Sequence, residues 1–394
     1  PPRFSGSKDY YGDDAHLRPF DDGTKTIENY KRRLEAAFEL FGKLNLRWYS
    51  VSDRDLCPDF DNFEETYRAQ DEMCNMAVDL QKQYNIRPLY FGCDLFSHPR
   101  YANGAATNPD AHVFAYACSQ MKRALEMAKR LDAENFIFFH PRDGYQSLIQ
   151  RQVFRDIHHL GNFYRMALEY REKIGYQGQF VIQPKPFEPR RFQYESDTMS
   201  VIAILRHHGI DRFFKLFIKP GSSRMIGRPY EHDVCMASAF DMLNGVDASD
   251  NYPEISSSSD VVPYNVRDAS AVMKCVLEQG GLANGGGITL GFKTRREAID
   301  IRDQVHAYIL AMDTFARALR NAARMLHDGC FKRSMNQRYM SYKSGIGERL
   351  ERGHCSLEEC EDFVRKAPPP RPVSSRFAHF ENMFNFYAYP PFRQ

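Results

Sequence analysis

The sequence predicts an α/β fold, a parallel (β/α)8 barrel of the TIM type with an additional C-terminal helical arm. Two observations predict it: short apolar runs recur along the chain, and longer stretches of helical periodicity separate them. Strands buried on both faces form continuous apolar runs, and parallel neighbours need a crossover helix between them. Seven or eight such units fit a barrel better than an open doubly wound sheet.

The elements follow one another in a regular order. Residues 1–24 are polar and lack periodicity, so we expect an extended N-terminal arm. A first helix is predicted over 27–44, because apolar residues such as Leu34 and Phe38 share one face. The apolar runs that follow are predicted to be strands. They are residues 46–51, 89–96, 136–139, 180–182, 213–218, 245–247 and 288–290.

The chain changes character after about residue 330. Lys- and Arg-rich helical patterns lead to a proline-rich linker over 367–372, and an aromatic segment follows over 377–389. This part is too polar and too short to form a second core. We therefore divide the chain into an extended arm (1–24), a barrel (25–330) and a C-terminal helical and aromatic arm (331–394).

Composition limits the classes of function and location. The chain has 394 residues and a formal net charge of only +2, which argues against a nucleic acid as its main partner. The nine Cys show no zinc-ligand spacing, so we expect reduced and mostly buried thiols. No apolar run is long enough to span a bilayer. The chain starts at Pro1, and we expect that a segment was removed before it.

Several stretches carry a specific resemblance to a known family. They are RRLEAAFELF (32–41), DRD (53–55), FSHPRY (96–101), GAATNPD (104–110), RDGY (142–145), PKP (184–186) with EP (188–189), and AMDTFAR (311–317). Together they resemble class II xylose isomerases from about residue 27 to the C-terminus. The resemblance implies a (β/α)8 barrel whose C-terminal arm embraces neighbouring subunits of a tetramer. It also implies aldose–ketose interconversion by a hydride shift, assisted by two divalent cations that carboxylates and one His hold.

The resemblance places the family's metal ligands at seven positions. They are Gln183, Lys219, Ser222, Asp247, Tyr252, Ser258 and Gly291. Only Asp247 keeps a carboxylate, whereas a hard dication needs several oxygen ligands and their negative charge. The Lys219 ammonium cannot ligate a cation while it is charged. We therefore expect no metal and no other cofactor, and we expect Lys219 to pair with Asp247 in place of the lost cation.

The positions implied to be catalytic have changed as well. Ser52 stands where the family has its ring-opening His, and the orienting Asp remains as Asp53. Phe139 replaces the Trp that stacks on substrate, and Lys185 retains the lysine near the reacting carbonyl. We therefore expect no catalytic residue among these four degenerate positions.

The family's first βα unit has no counterpart before the helix at 27–44. The resemblance therefore implies a barrel whose first strand is missing or altered. A barrel with seven strands must leave a gap, close by rearrangement or borrow cover from another chain, because open strand edges are a liability.

These changes predict a pseudoenzyme, a non-catalytic xylose isomerase-like protein. We expect it to be a structural or accessory subunit of a larger assembly, on the matrix side of mitochondria or alternatively in the cytoplasm. Other protein subunits are the expected partners, in a hetero-oligomer or in a homo-oligomer built through the C-terminal arm. Two alternatives stay open: a module that binds a sugar or another small polar ligand without turnover, and a residual aldose–ketose isomerase that acts without metal.

Overall fold

The protein is described from a computed structural model that covers residues 18–187, 189–253, 256–282, 285–294 and 297–389, without the side chains of 256–260. Most of the expected N-terminal arm, residues 1–17, therefore lies outside the described residues. Its last part, 18–24, is held to the first helix, since Asn29 donates a 2.9 Å hydrogen bond to Asp21.

In the part of the chain that is described, seven parallel strands form the central sheet, and each pairs with the next strand of that sheet along the chain. They are β1 (Trp48–Ser52), β2 (Arg87–Gly92), β3 (Asn135–Phe138), β4 (Gln179–Ile182), β5 (Phe214–Ile218), β6 (Leu243–Asp247) and β7 (Ile288–Thr289). Each strand overlaps one of the seven apolar runs that the sequence analysis identified. The predicted barrel-type α/β fold is thereby confirmed.

Within the described residues, eight helices surround the sheet. They are α1 (Ile27–Lys43), α2 (Phe63–Tyr84), α3 (Ala111–Arg130), α4 (Val153–Ile174), α5 (Thr198–His207), α6 (His232–Ala239), α7 (Val266–Glu278) and α8 (Ile301–Asp328). Several begin at a side chain that accepts hydrogen bonds from the first free N–H groups, such as Asn62 for α2 and Asp300 for α8. Because α1 precedes β1, the described residues contain one more barrel helix than strands.

The core has two layers. The larger layer lies between the sheet and the helices, and the fully buried rings of Phe136, Phe180 and Phe214 pack against one another there. A smaller cluster includes Tyr90 and Phe217, whose ring centroids are 4.7 Å apart. Alternate strand residues point to opposite faces, so these side chains fill the inside of the sheet while the phenylalanines face the helices.

The sheet is open between β1 and β7, which are its two end strands among the described residues. Side chains tie the two halves together instead of a further strand. The Tyr90 hydroxyl donates a 2.9 Å hydrogen bond to Asn244 and accepts one of 3.2 Å from the Gly287 N–H. Asn135 Nδ2 donates to the Gly285 carbonyl at 3.0 Å. The segment that leads into β7 is therefore hydrogen-bonded to β2 and β3. These hydrogen bonds hold the open sides of the sheet together without a further strand between β1 and β7 among the described residues.

The C-terminal arm contains four helices up to residue 389, where the described residues end. They are α9 (Cys330–Arg338), α10 (Gly345–Glu351), α11 (Leu357–Lys366) and α12 (Phe377–Ala388). The last one packs on the barrel, since Tyr387 donates a 2.8 Å hydrogen bond to Asp328 at the end of α8. By contrast, α11 has no buried residue, and Leu357 is 85% exposed.

The expectation of reduced thiols is wrong for one pair, because Cys235 and Cys275 form a disulfide that joins α6 to α7. Spacing along the chain could not reveal this pair, because 40 residues separate the two positions and only helix packing brings their Cα atoms to 5.4 Å. The other seven cysteines are free. Across the part of the chain that is described, no helix combines the length and apolar character that crossing a membrane requires.

Candidate functional site

The carboxyl-terminal ends of the strands bring most of the predicted site residues to one face of the barrel. TIM barrels carry their active sites at this face, on the loops that follow the strands. Gln183 follows β4, Lys219 follows β5, and Asp247 ends β6. Gly291 comes two residues after β7. These four positions therefore occupy adjacent places around the mouth of the barrel.

Asp247 is held by three hydrogen-bond donors. Its carboxylate accepts from the Gly291 N–H at 2.7 Å, from the Thr289 hydroxyl at 2.8 Å and from the Ser249 hydroxyl at 3.2 Å. Only 6% of the residue is exposed. A Cβ added at Gly291 would lie 2.3 Å from Asp247 Oδ1. The carboxylate therefore fills the space that a side chain at position 291 would need.

Lys219 lies beside Asp247 by strand register. Ile218 and Val246 are opposite one another in β5 and β6, so the residues that follow them come at the same level. Adjacent strands lie about 4.8 Å apart, which is within reach of a lysine side chain. Lys219 is also only 6% exposed. The predicted ion pair between Lys219 and Asp247 stays a proposal, which this placement supports.

The charge of Lys219 also affects the pKa of Asp250, which lies three residues after β6. Burial raises the pKa of Asp250, against opposing contributions from Arg224 and, more weakly, from Lys219. Arg224 Nε lies 3.1 Å from Asp250 Oδ1. The mouth between β5 and β6 therefore contains cationic and anionic side chains together.

Three further predicted positions surround this pair. The Gln183 N–H donates to the Phe138 carbonyl at 3.0 Å, and the Lys185 N–H donates to the Glu195 carbonyl at 2.9 Å, so backbone contacts hold the loop after β4. Ser222 is buried in the short helix Pro220–Met225, and its hydroxyl has no hydrogen-bond partner among the described residues.

Tyr252 and Ser258 lie on an antiparallel ribbon beyond β6, formed by Asp250–Tyr252 and Ser256–Val261. Burial and a hydrogen bond with Tyr264 raise the pKa of Tyr252 to about 12, so its phenol stays protonated at neutral pH. The side chain of Ser258 lies outside the described residues.

These residues do not fit a pair of divalent cations. At the aligned positions the one carboxylate is that of Asp247, together with an amide, hydroxyls and an ammonium, while Gly291 offers no side chain. The neighbouring Asp250 carboxylate is paired with Arg224. No group of three or more His, Cys, Asp or Glu side chains with metal-ligand geometry occurs within the described ranges. A hard dication needs several anionic oxygen ligands, and a neighbouring ammonium would repel it. These residues therefore do not support a reaction step through such a metal pair.

Two of the four degenerate catalytic positions, Ser52 and Asp53, have structural roles at the end of β1. The Ser52 hydroxyl and the Asp55 carboxylate cap the short helix Asp53–Leu56 reciprocally. Asp53 is buried and accepts hydrogen bonds from Gln120 Nε2 at 2.7 Å and from the Asp94 N–H at 2.8 Å. Burial raises the pKa of Asp53. Its hydrogen bonds connect β1 to α3, which is a packing role.

Phe139 follows β3 and lies between the barrel and the loop after β2. Its ring packs edge-on against Phe96, with centroids 5.3 Å apart. An aromatic side chain therefore remains at the position where the resemblance implies a stacking Trp.

A buried cluster of His140, Tyr164 and Glu195, which was not predicted from the sequence, lies near the carboxyl-terminal end of β3. His140 Nδ1 lies 3.1 Å from Glu195 Oε2, and the Tyr164 hydroxyl donates to the same carboxylate. Burial lowers the pKa of His140, but the hydrogen bond and the charge of Glu195 outweigh burial and raise it. Its Nε2 has no partner among the described residues. The only signal in the sequence was a His where small residues were expected, since Glu195 lies 55 positions away.

A cavity of about 450 Å³ opens at the same face of the barrel, between the loop after β7 and the first turns of α8. Thr294, Asp303 and His306 line part of it. Thr294 comes three residues after Gly291, in the loop that follows β7. Its size lies within the range of about 300–1,000 Å³ that is common for ligand pockets.

Comparison with known proteins gives consistent matches. Residues 335–388 match the family model described as the XylA2 C-terminal domain. A xylose isomerase from Geobacillus thermodenitrificans is 35% identical over 385 residues, which cover 98% of this chain and 86% of that relative. The expected resemblance is thereby supported over nearly the whole chain, whereas the altered ligand positions stay a prediction from the residues themselves.

Solved structures support the fold alone. A xylose isomerase domain protein from Alicyclobacillus acidocaldarius superimposes with a TM-score of 0.53 at 13% identity, covering 77% of this chain and 96% of that one. A structure of L-ribulose 3-epimerase gives a TM-score of 0.53 at 10% identity and covers 84% of this chain and 96% of that one.

The expectation that the chain is not an enzyme is wrong. Relatives named xylose isomerase are 33–35% identical to it over most of its length. That expectation assumed that a barrel without the metal ligands cannot catalyse a reaction. A buried ammonium and a carboxylate at the barrel mouth still offer a proton donor and a proton acceptor.

Proposed function

Because the chain belongs to the xylose isomerase family, we propose that it is a sugar isomerase that interconverts an aldose and a ketose at the carboxyl-terminal mouth of its barrel. One observation carries the proposal. Lys219 follows β5 and Asp247 ends the adjacent strand β6, and both residues are buried at the same level. They lie at the carboxyl-terminal face, where TIM barrels have their active sites. The cavity of about 450 Å³ between the loop after β7 and the start of α8 is the proposed entrance for the sugar.

The proposed chemistry is a proton transfer through an enediol. Asp247 takes the proton from C2 of the open-chain aldose, while the Lys219 ammonium gives a proton to O1. Asp247 then returns its proton to C1, and the O2 hydroxyl returns a proton to Lys219, so that C2 becomes the carbonyl carbon. Protons and electron pairs balance without any further reactant. General acid–base catalysis of this kind contributes about 10²–10⁴-fold to a rate.

The family resemblance implies a hydride shift assisted by metal. This route and the proton transfer proposed here differ in whether solvent hydrogen enters the product. A proton that passes through Asp247 exchanges with solvent, whereas a hydride moves directly between the two carbons. The residues at the mouth do not fit the metal pair, which favours the proton route for this chain.

The test is turnover of D-xylose and D-glucose by the purified protein in D₂O with EDTA, read by NMR of C1 and C2. We expect the ketose to form and to carry solvent deuterium at C1. Lys219→Met and Asp247→Asn should each lower the rate at least tenfold, whereas Lys82→Met, an exposed lysine on α2, should leave it unchanged.

Two outcomes would contradict the proposal. Turnover that requires added Mg²⁺ or Mn²⁺ and brings no deuterium into the ketose would show that the metal-assisted route operates. No turnover with or without metal, from protein whose folding is confirmed by circular dichroism, would remove the isomerase proposal altogether.

For partners, we propose that the C-terminal arm contacts other protein subunits, in copies of this chain or in a hetero-oligomer. Support comes from its uncovered apolar side chains, including Leu357, Val373 and Phe377, which are 85%, 88% and 71% exposed. Apolar surface that is exposed to this extent is one mark of an interaction surface. The test is the mass of the full chain in solution compared with a chain that ends at residue 329. The mitochondrial or cytoplasmic location stays a prediction.

A further inference from the structure

The gap between β1 and β7 contains a cavity of about 340 Å³ at the amino-terminal ends of the strands. Its wall includes Trp48, which begins β1, Ile288, which begins β7, and Leu89 of β2. The cavity therefore occupies the place where an eighth strand would complete the barrel. Strands of five residues span about 17 Å, so the carboxyl-terminal mouth is at the opposite end.

Trp48 gives this cavity an aromatic wall. It is the one Trp of the chain, and it is 41% exposed. Trp combines a broad apolar face with an N–H donor, so it packs well against a ligand that has an apolar face and polar edges. Leu89 and Ile288 extend the apolar part of the wall.

Arg47 and Glu134 give the same cavity one cationic and one anionic side chain. No ion pair joins either residue to another group within the described ranges. The guanidinium supplies several N–H donors, and the carboxylate supplies only acceptors. An anion would meet the repulsion of Glu134 and a cation that of Arg47, so the pair favours a ligand without net charge.

Glycines keep the cavity accessible. The segment 285–287 lines it with backbone alone. A Cβ at Gly285 would lie 3.1 Å from Glu134 Oε2, and the φ angle of +70° at this residue suits glycine. A Cβ at Gly287 would approach Leu89 to 2.7 Å. Larger residues at these positions would therefore press on the wall of the cavity.

We propose that this gap cavity binds a neutral polyhydroxylated ring of monosaccharide size, at a site separate from the mouth of the barrel. Trp48 packs against the C–H face of the ring, while Arg47 donates to its hydroxyl oxygens and Glu134 accepts from its hydroxyl groups. The volume lies at the small end of the range for ligand pockets, about 300–1,000 Å³, which favours one ring over an oligosaccharide. The proposal does not depend on catalysis at Lys219 and Asp247.

The position of Trp48 allows a direct test, because all tryptophan fluorescence of the chain comes from this cavity. Titration of the full chain with D-xylose, D-glucose and D-fructose should change the emission saturably and protect Trp48 from quenching by acrylamide. Glu134→Gln and Arg47→Met should each weaken the apparent affinity by about tenfold, the usual effect of losing a hydrogen bond to a charged group.

Matched controls separate the cavity from general effects. Glu278→Gln on α7 and Arg68→Met on α2 remove the same charges from exposed positions and should leave the titration unchanged. Glu134→Gln should also leave the turnover at the mouth unchanged, which distinguishes the two sites. No saturable response to any sugar would overturn the proposal, and so would a response to inorganic phosphate or to an amino acid in place of the sugars.

Discussion

Asp247 and Gly291 share one small volume at the mouth of the barrel. The Gly291 N–H donates a 2.7 Å hydrogen bond to Asp247 Oδ1, and a Cβ at position 291 would lie 2.3 Å from that oxygen. The two positions cannot both carry a side chain without movement of the strand ends. The inward position of the Asp247 carboxylate therefore depends on the absence of a side chain at position 291.

Gly291→Asp should destabilise the protein and should not create a metal site. Overpacking at a tight position costs about 1–3 kcal/mol, and the new carboxylate would also repel Asp247. Urea unfolding should show the lower stability, and Mn²⁺ should not raise the melting temperature of the variant. A rise in melting temperature that follows Mn²⁺ concentration would show instead that the mouth can rearrange into a metal site.

Lys219→Met should cost more stability than Lys219→Met combined with Asp247→Asn. Removing one partner of a buried ion pair leaves an uncompensated charge and costs about 3–5 kcal/mol, whereas removing both charges does not. Asp247 keeps its hydrogen bonds to Thr289 and Gly291 in the single variant, so the lower end of that range is expected. A double-mutant cycle from denaturant unfolding measures the coupling. Additive effects of the two substitutions would contradict the proposed pair.

Stability should depend on pH through His140. Its pKa is raised in the folded protein above the ordinary value of 6.5, so folding favours the protonated form. That contribution is complete below the unfolded pKa and is lost as pH rises through the folded pKa. The stability of the wild type relative to His140→Gln should therefore fall as pH rises above about 6.5. Urea unfolding across this window is the measurement.

A matched variant serves as the control for this pH dependence. His112→Gln changes a histidine whose side chain is 98% exposed at the start of α3. It should behave like the wild type across the same pH range. A difference between wild type and His140→Gln that stays constant with pH would show that His140 does not gain a proton on folding.

Tyr90→Phe should weaken the closure of the open sheet. The variant loses the 2.9 Å hydrogen bond to Asn244 and the 3.2 Å bond from the Gly287 N–H. Unsatisfied buried partners cost about 1–3 kcal/mol. Hydrogen exchange at residues 285–289 should accelerate together with the loss of stability. Tyr145→Phe is the control, because its hydroxyl has no hydrogen bond among the described residues, and it should change neither quantity.

Local patterns in the sequence predicted most of the fold. Apolar runs marked all seven strands, because a strand that is buried on both faces must be apolar along its length. Helical periodicity likewise marked α1, where Leu34 and Phe38 face the core. The sequence has no apolar run before α1, and no strand precedes α1 among the described residues, which begin at residue 18.

Contacts between residues that are far apart in the sequence could not be predicted from the sequence alone. The His140–Glu195 pair joins positions 55 residues apart, and the Cys235–Cys275 disulfide joins positions 40 residues apart. No spacing rule connects such pairs, because helix packing and strand order decide which side chains meet. Register in the sheet was similarly needed to place Lys219 beside Asp247.

The sequence by itself determined the order of strands and helices, the family, and the residue types at the mouth of the barrel. Only the tertiary structure decided how the incomplete sheet closes, where the gap cavity lies, and that the Asp247 carboxylate fills the space beside Gly291. The physical reason is the range of the interactions. Secondary structure follows from neighbours along the chain, whereas cavities and buried charges depend on groups that only the complete packing brings within a few ångströms of one another.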